Sequence, residues 1–269
     1  MVYEIRTVPL SQFDMADTTF RISTRESDDT LVGSIRGVGL IQPPIVLEKG
    51  GTLIVVSGFA REAACRAMGW PEIPARCLPA DTPFIDCALL AVADNTAQRT
   101  LNVVETARAM ALLGRAAATQ DGAYSLDALL QIVGLGANPQ LTEKLQPVPF
   151  MPEWLQRGLA EGAIPLPMAL RLHALADAAA AEALVALFRE LEWSLNRQRE
   201  FLDWVLAIAH REALPLVEVL ADPQVTHWRQ DAQMDKGHKS QQIRQHIRKR
   251  RYPAITAFET RYTQTLKAL

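Results

Sequence analysis

Apolar, β-branched runs fill the first 80 residues of this chain, and no convincing one follows. "PPIVLEKGGTLIVVSG" (43–58) sets two such runs around Glu-Lys-Gly-Gly, a hairpin pattern. "YEIRTV" (3–8) and "WPEIPARCL" (70–78) predict further strands, and "DDTLVGSIRGVG" (28–39) a short helix with Asp28 or Asp29 as N-cap and Gly37 or Gly39 as its stop. From residue 81 onward, apolar residues recur at helical spacing. "FIDCALLAVADNTAQ" (84–98) and "NVVETARAMALLGRAAAT" (102–119) read as helices, and shorter ones are expected over 125–133, 139–146 and 152–161. Two or three amphipathic helices should follow over 167–210, broken near Asp177 and Ser194. The expected fold class is therefore α+β: a small α/β unit, then an extended all-helical part.

Composition closes several routes. With 49% apolar residues there is ample core material, and no stretch is long and apolar enough to cross a membrane. The N-terminus lacks signal-peptide character, so a cytoplasmic protein is expected. Cys65, Cys77 and Cys87 are odd in number and lack Cys-x-x-Cys spacing, which favours buried thiols. The five histidines are scattered, with no metal-binding spacing. No catalytic constellation emerges.

The strand-to-helix joint in "VVSGFAREAACRAMGW" (55–70) carries the first functional signal. A helix start offers unpaired N–H groups and a partial positive charge, and glycine lets a phosphate approach the backbone. An arginine one turn inside, Arg61, could add a forked pair of charge-assisted hydrogen bonds. The same pattern also serves as ordinary punctuation, with Gly58 turning the chain and Arg61 solvated.

The surroundings extend the pattern: Gly39-Leu40-Ile41-Gln42-Pro43, a strand, Gly58-x-x-Arg61-x-x-Ala64, "GWPEIPA", Asp94-Asn95, then Leu101-Asn102-x-x-Glu105. In this order the series resembles the N-terminal domain of the ParB family of partition proteins, a fold shared more distantly with sulfiredoxin. The likeness runs loosely over residues 3–210, with "SLDALLQIVGLGANPQLTEKL" (125–145) standing where the family has its helix-turn-helix. The resemblance implies a CTP site built from Arg21, Gly39, Gln42, Pro43, Gly58, Arg61 and Asn95, with Asp94 and Asn95 approaching Mg²⁺ through the nucleotide. It also implies a homodimer, a partner ATPase and a DNA target. Here the arginine-rich helix start of the family is eroded, because Phe59, Ala60 and Ala63 replace Glu, Arg and Arg. The Gln98-Arg99 pair is displaced by one residue. The domain divisions expected on this basis are 1–98, 99–212 and 213–269.

Two segments could meet DNA. In the degenerate helix-turn-helix, Asn138, Gln140 and Lys144 are the candidate base readers, but the segment carries no arginine and a net charge of −1, so base reading and a purely structural role both stand. Residues 236–269 hold nine Lys/Arg against one acid, leaving a body of net −10 before an end of +8. Lys239, Arg244, Arg248, Lys249, Arg250 and Arg251 lie in an expected helix over 238–251, stopped by Pro253, and could bind phosphates in a salt-sensitive way. Packing of this helix against the acidic body is the other reading. The functional expectation is a ParB-like DNA-binding protein of a partition system or mobile element, associated with nucleoid or plasmid, acting as a CTP-gated or formerly CTP-gated clamp. The alternatives are a nucleotide hydrolase or phosphotransferase (at most a weak CTPase), with nuclease chemistry disfavoured, and a protein-interaction module without nucleotide.

Overall fold

A four-stranded mixed sheet organises the N-terminal part of the protein. β1 (Glu4–Pro9), β2 (Ile45–Lys49), β3 (Thr52–Ser57) and β4 (Glu72–Leu78) take the spatial order β1-β4-β2-β3. β1 pairs antiparallel with β4, β4 parallel with β2, and β2 antiparallel with β3 through the expected hairpin. The structure, a computed structural model, describes residues 3–119, 123–136, 138–253, 257, 261 and 264. It divides into two compact units, Met1–Phe150 and Met151–Leu269.

In the first unit the sheet is covered by α1 (Asp29–Val38) and α2 (Phe59–Ala67), which pack on each other. Val8, Ile35, Val46, Val55, Ala64, Ile73 and Ala75 are buried together in its core. Asp28 caps α1, its carboxylate accepting from the Leu31 amide at 2.7 Å. α3 (Phe84–Gln98) packs on β3 and on α4 (Val103–Ala118), which in turn holds α5 (Leu126–Ile132) and α6 (Pro139–Leu145). The sequence division at 98/99 thus falls between two helices that pack together. Burial of Val92, Val104, Ala107 and Leu113 explains why α4 stays with the sheet rather than opening a new unit.

The second unit is helical throughout its described residues. α7 (Glu153–Ala160), α8 (Leu166–His173), α9 (Ala178–Leu191) and α10 (Leu195–Glu212) pack together, and Trp193, Phe188 of α9 and Phe201 of α10 form an aromatic cluster with ring centroids 4.9–6.5 Å apart. Gly158 is where α7 meets its neighbours: a Cβ there would stand 2.9 Å from Val185 Cγ1. Asp177 caps α9 through the Ala180 amide, while Ser194 opens α10 with no side-chain cap. α11 (Leu216–Leu220) and α12 (Pro223–Gln230) lead into α13 (Lys236–Arg251), which packs on α9, α10 and α12. The sequence division at 212/213 falls at the end of α10, within this unit. Most of the segment after Pro253 lies outside the described residues.

Candidate functional site: a strand-to-helix corner and a basic helix

The corner forms where β3 ends. Gly58 adopts a left-handed conformation (φ +99°), and a Cβ there would lie 2.9 Å from Pro44 Cβ and 3.0 Å from Pro44 Cα. Only glycine allows both the turn and the close approach of α2 to the Gln42-Pro43-Pro44 segment. No side chain caps α2, whose first intrahelical bond runs from the Glu62 amide to the Gly58 carbonyl. Arg61 reaches back across this joint. Its Nη1 donates to the Gln42 carbonyl at 2.9 Å and its Nη2 to Asp94 Oδ2 at 3.0 Å. The same Oδ2 accepts a 2.5 Å bond from Ser57 Oγ. Both partners of the ion pair are largely buried, with 15% and 22% of their side chains exposed.

The structure therefore assembles Gln42, Gly58, Arg61 and Asp94 around one corner, with Pro43 in the connecting turn. The Arg21 guanidinium lies 5.9 Å from the centre of the Phe59 ring, beside the start of α2. Gly39 closes α1 as its C-cap, with its N–H on the Ile35 carbonyl. Asn95 turns its amide to the Ala91 carbonyl of its own helix at 2.8 Å. Asp94 is thus held through Oδ2 by Arg61 and Ser57, and Asn95 through its amide nitrogen by its own helix. Among the described residues no group of three His, Cys, Asp or Glu is placed to hold a metal ion.

A second cluster stands at the start of α4. Glu105 is fully buried, and Arg99 grips it with two bonds of 2.5 and 2.6 Å. The Thr24 amide, the Thr24 hydroxyl and the Asn102 amide donate to the same carboxylate at 2.9, 3.1 and 3.0 Å. Burial alone would raise the pKa of this group; the Arg99, Thr24 and Asn102 hydrogen bonds outweigh it and hold the carboxyl pKa at about 2. The Asn102 side-chain oxygen accepts from the Val104 and Glu105 amides of α4, completing a capping box. The cluster ties the segment around Thr24 to α4. Nothing local in the sequence pointed to Thr24.

The expected recognition helix is α6. Asn138 is its N-cap, accepting from the Leu141 amide at 3.2 Å, so that side chain is engaged in the helix start. Gln140 and Lys144 are exposed, beside a partly exposed Leu141.

The basic helix, α13, is amphipathic in an unexpected sense. Ile243 and Ile247 are fully buried, and Ser240 accepts a 2.6 Å bond from the Trp193 indole. Arg250 binds Glu212 at 2.5 Å and Asp222 at 3.0 Å. Hydrogen bonds from Arg250 above all hold the Glu212 carboxyl below its ordinary value. At Asp222 burial pushes upward, and the bonds from His246 and the Gln224 amide prevail. Arg244 meets Glu200 at 2.5 Å and lies over the Trp204 ring, and Lys239 donates to the Arg229 carbonyl at 2.8 Å. Arg251 lies over Tyr252, and Lys249 is exposed and also engaged. Arg248 is exposed and makes no ion pair among the described residues. With Arg197, Lys236 and Arg244 it lines a cleft of about 680 Å³ between α10 and α13.

The N-terminal unit thus sets a glycine-jointed α2 and a Gln-Pro turn against a mixed sheet. Residues 2–91 match the family described as ParB N-terminal domain. A probable plasmid-partitioning protein ParB from Thermus thermophilus is 28% identical over 217 residues, spanning 71% of each chain. Among solved structures, a Pnob8-like ParB-N domain is 15% identical with a TM-score of 0.43, over 74% of this chain and 92% of that one. The C-terminally truncated ParB from Caulobacter crescentus complexed with CTP-γ-S is 21% identical, with a TM-score of 0.31 over 68% of this chain and 99% of that one. The same Caulobacter protein complexed to the centromeric parS site is 17% identical, with a TM-score of 0.36 over 72% and 96%. Among the described residues, no helix is long and apolar enough to cross a membrane.

Proposed function

We propose that the chain is a ParB-like DNA-binding protein of a plasmid or chromosome partition system, whose N-terminal unit takes CTP at the Gly58–Arg61 corner. The observation that carries this reading is the corner itself within a ParB N-terminal domain: a left-handed glycine, an uncapped helix start and an arginine, set against the Gln42-Pro43 turn. The partition role of the Thermus relative supports the same assignment. Uncapped amides of α2, with Arg61 and Arg21, offer the positive potential a nucleotide phosphate needs. DNA is met mainly through its phosphate backbone, by Arg248, Lys249 and Arg251 of α13, with Gln140 and Lys144 of α6 as secondary contacts. The protein works as a homodimer on nucleoid or plasmid DNA in the cytoplasm, alongside a partner ATPase.

Two titrations test this. CTP should raise the melting temperature, as any ligand that binds only the folded state must. Fluorescent duplex DNA should bind at low salt and lose affinity steeply as salt rises. Absence of both effects overturns the reading.

A further inference from the structure

The corner contains an acid where its ligand needs a cation to be free. Arg61 is the one arginine left in the first turn of α2, since Ala60 and Ala63 stand where the resembled motif has arginines. Its two terminal nitrogens are both occupied, by the Gln42 carbonyl and by Asp94. Asp94 Oδ2 collects the Arg61 Nη2 donor and the Ser57 hydroxyl on a single oxygen. An anionic oxygen held by a guanidinium and a hydroxyl beside an uncapped helix start is the arrangement a phosphate oxygen would take. The carboxylate also cancels the charge of Arg61, leaving Arg21 and the helix start to face an incoming anion.

Building on the nucleotide reading above, we infer that Asp94 is an intramolecular stand-in for a ligand phosphate, a latch that keeps Arg61 neutralised until a phosphate-bearing ligand displaces it. The alternative role for Asp94 is to hold a metal ion together with the nucleotide. The latch makes affinity for polyphosphate lower than the corner's geometry allows, and it puts that penalty in one side chain. Asp94→Asn keeps the shape and the hydrogen-bonding oxygen but removes the charge. Ser57→Ala removes the second holder and leaves the charge in place.

The two roles separate in one binding series. CTP and inorganic tripolyphosphate are titrated calorimetrically against wild type, Asp94→Asn, Ser57→Ala and Arg61→Ala/Asp94→Asn, each with EDTA and with Mg²⁺. The latch predicts about tenfold tighter binding of both probes by Asp94→Asn, in EDTA and in Mg²⁺ alike, the size expected for removing one opposed charge at a partly buried site. Ser57→Ala should show a smaller gain, and the double variant should lose the gain. Unchanged or weaker binding by Asp94→Asn overturns the latch, and a loss seen only with Mg²⁺ assigns Asp94 to the metal instead. If tripolyphosphate gains affinity while CTP binds neither protein, the latch stands and the CTP reading falls. If CTP binds wild type with no gain in the variant, the reading stands and the latch falls.

Discussion

The corner at Gly58 and the helix α13 are the two places where this chain offers cations to phosphates, and each unit answers them with its own acids. At the corner a single arginine is matched by a single aspartate, both largely out of water. On α13 the neutralisation is selective. Arg244 and Arg250 are bound to Glu200, Glu212 and Asp222, while Arg248 stays exposed and unpaired among the described residues. A basic stretch is thus two populations: cations that hold the helix onto its unit and cations left for a partner. Charge counted along a sequence overstates what a polyanion meets. The corner shows the same lesson in its smallest form.

The comparison can be broken at four points. The largest effect is expected at Glu105, whose removal leaves Arg99 half-buried without its partner and the Thr24 and Asn102 amides without their buried acceptor: Glu105→Ala should cost about 3–5 kcal/mol in chemical denaturation. The pH dependence has a definite sign. The folded carboxyl sits at about 2 against an ordinary 4.5, so its contribution is complete above about pH 5 and fades as pH falls towards 2. Thermal melting across that range should show a steep acid limb that Glu105→Gln flattens; a parallel limb in both proteins would remove Glu105 as its source.

Next in size is Gly58→Ala, which forces a side chain into left-handed backbone and against Pro44. It should cost about 2–3 kcal/mol and weaken CTP binding along with stability. An alanine variant as stable as wild type would show that the joint does not depend on glycine. On the second unit, Arg250→Ala should lose about 1–2 kcal/mol, because Glu212 and Asp222 both lose a charge-assisted partner. Arg248→Ala should stay within about 0.5 kcal/mol of wild type in stability. It should instead reduce the salt slope of DNA binding by about 1, read from affinities at several salt concentrations. If the two arginine variants exchange behaviours, the division of α13 into holding and free cations is wrong.

Much of the fold was legible because its signals are local. The Glu-Lys-Gly-Gly hairpin, the Asp28 cap and the stop after Arg251 depend on neighbours a few positions apart, and each is present in the structure. The joint at Gly58 was legible for the same reason, and so was the family resemblance built on it. What escaped the sequence are pairings across long separations. Arg61 and Asp94 are 33 residues apart, and Arg250 lies 38 from Glu212 and 28 from Asp222. No periodicity specifies which acid a given arginine will find. Arg99 stood out in the sequence as a displaced motif residue, and its grip on Glu105 was visible only once α3 and α4 came together.

The bond from the Thr24 amide to the buried Glu105 carboxylate has a consequence for measuring motion in the first unit. That amide can exchange its hydrogen with solvent only when the carboxylate lets go, so its exchange rate clocks the detachment of the Thr24 segment from α4. A single backbone proton thereby reports, in the intact protein, how often the front of this domain comes undone.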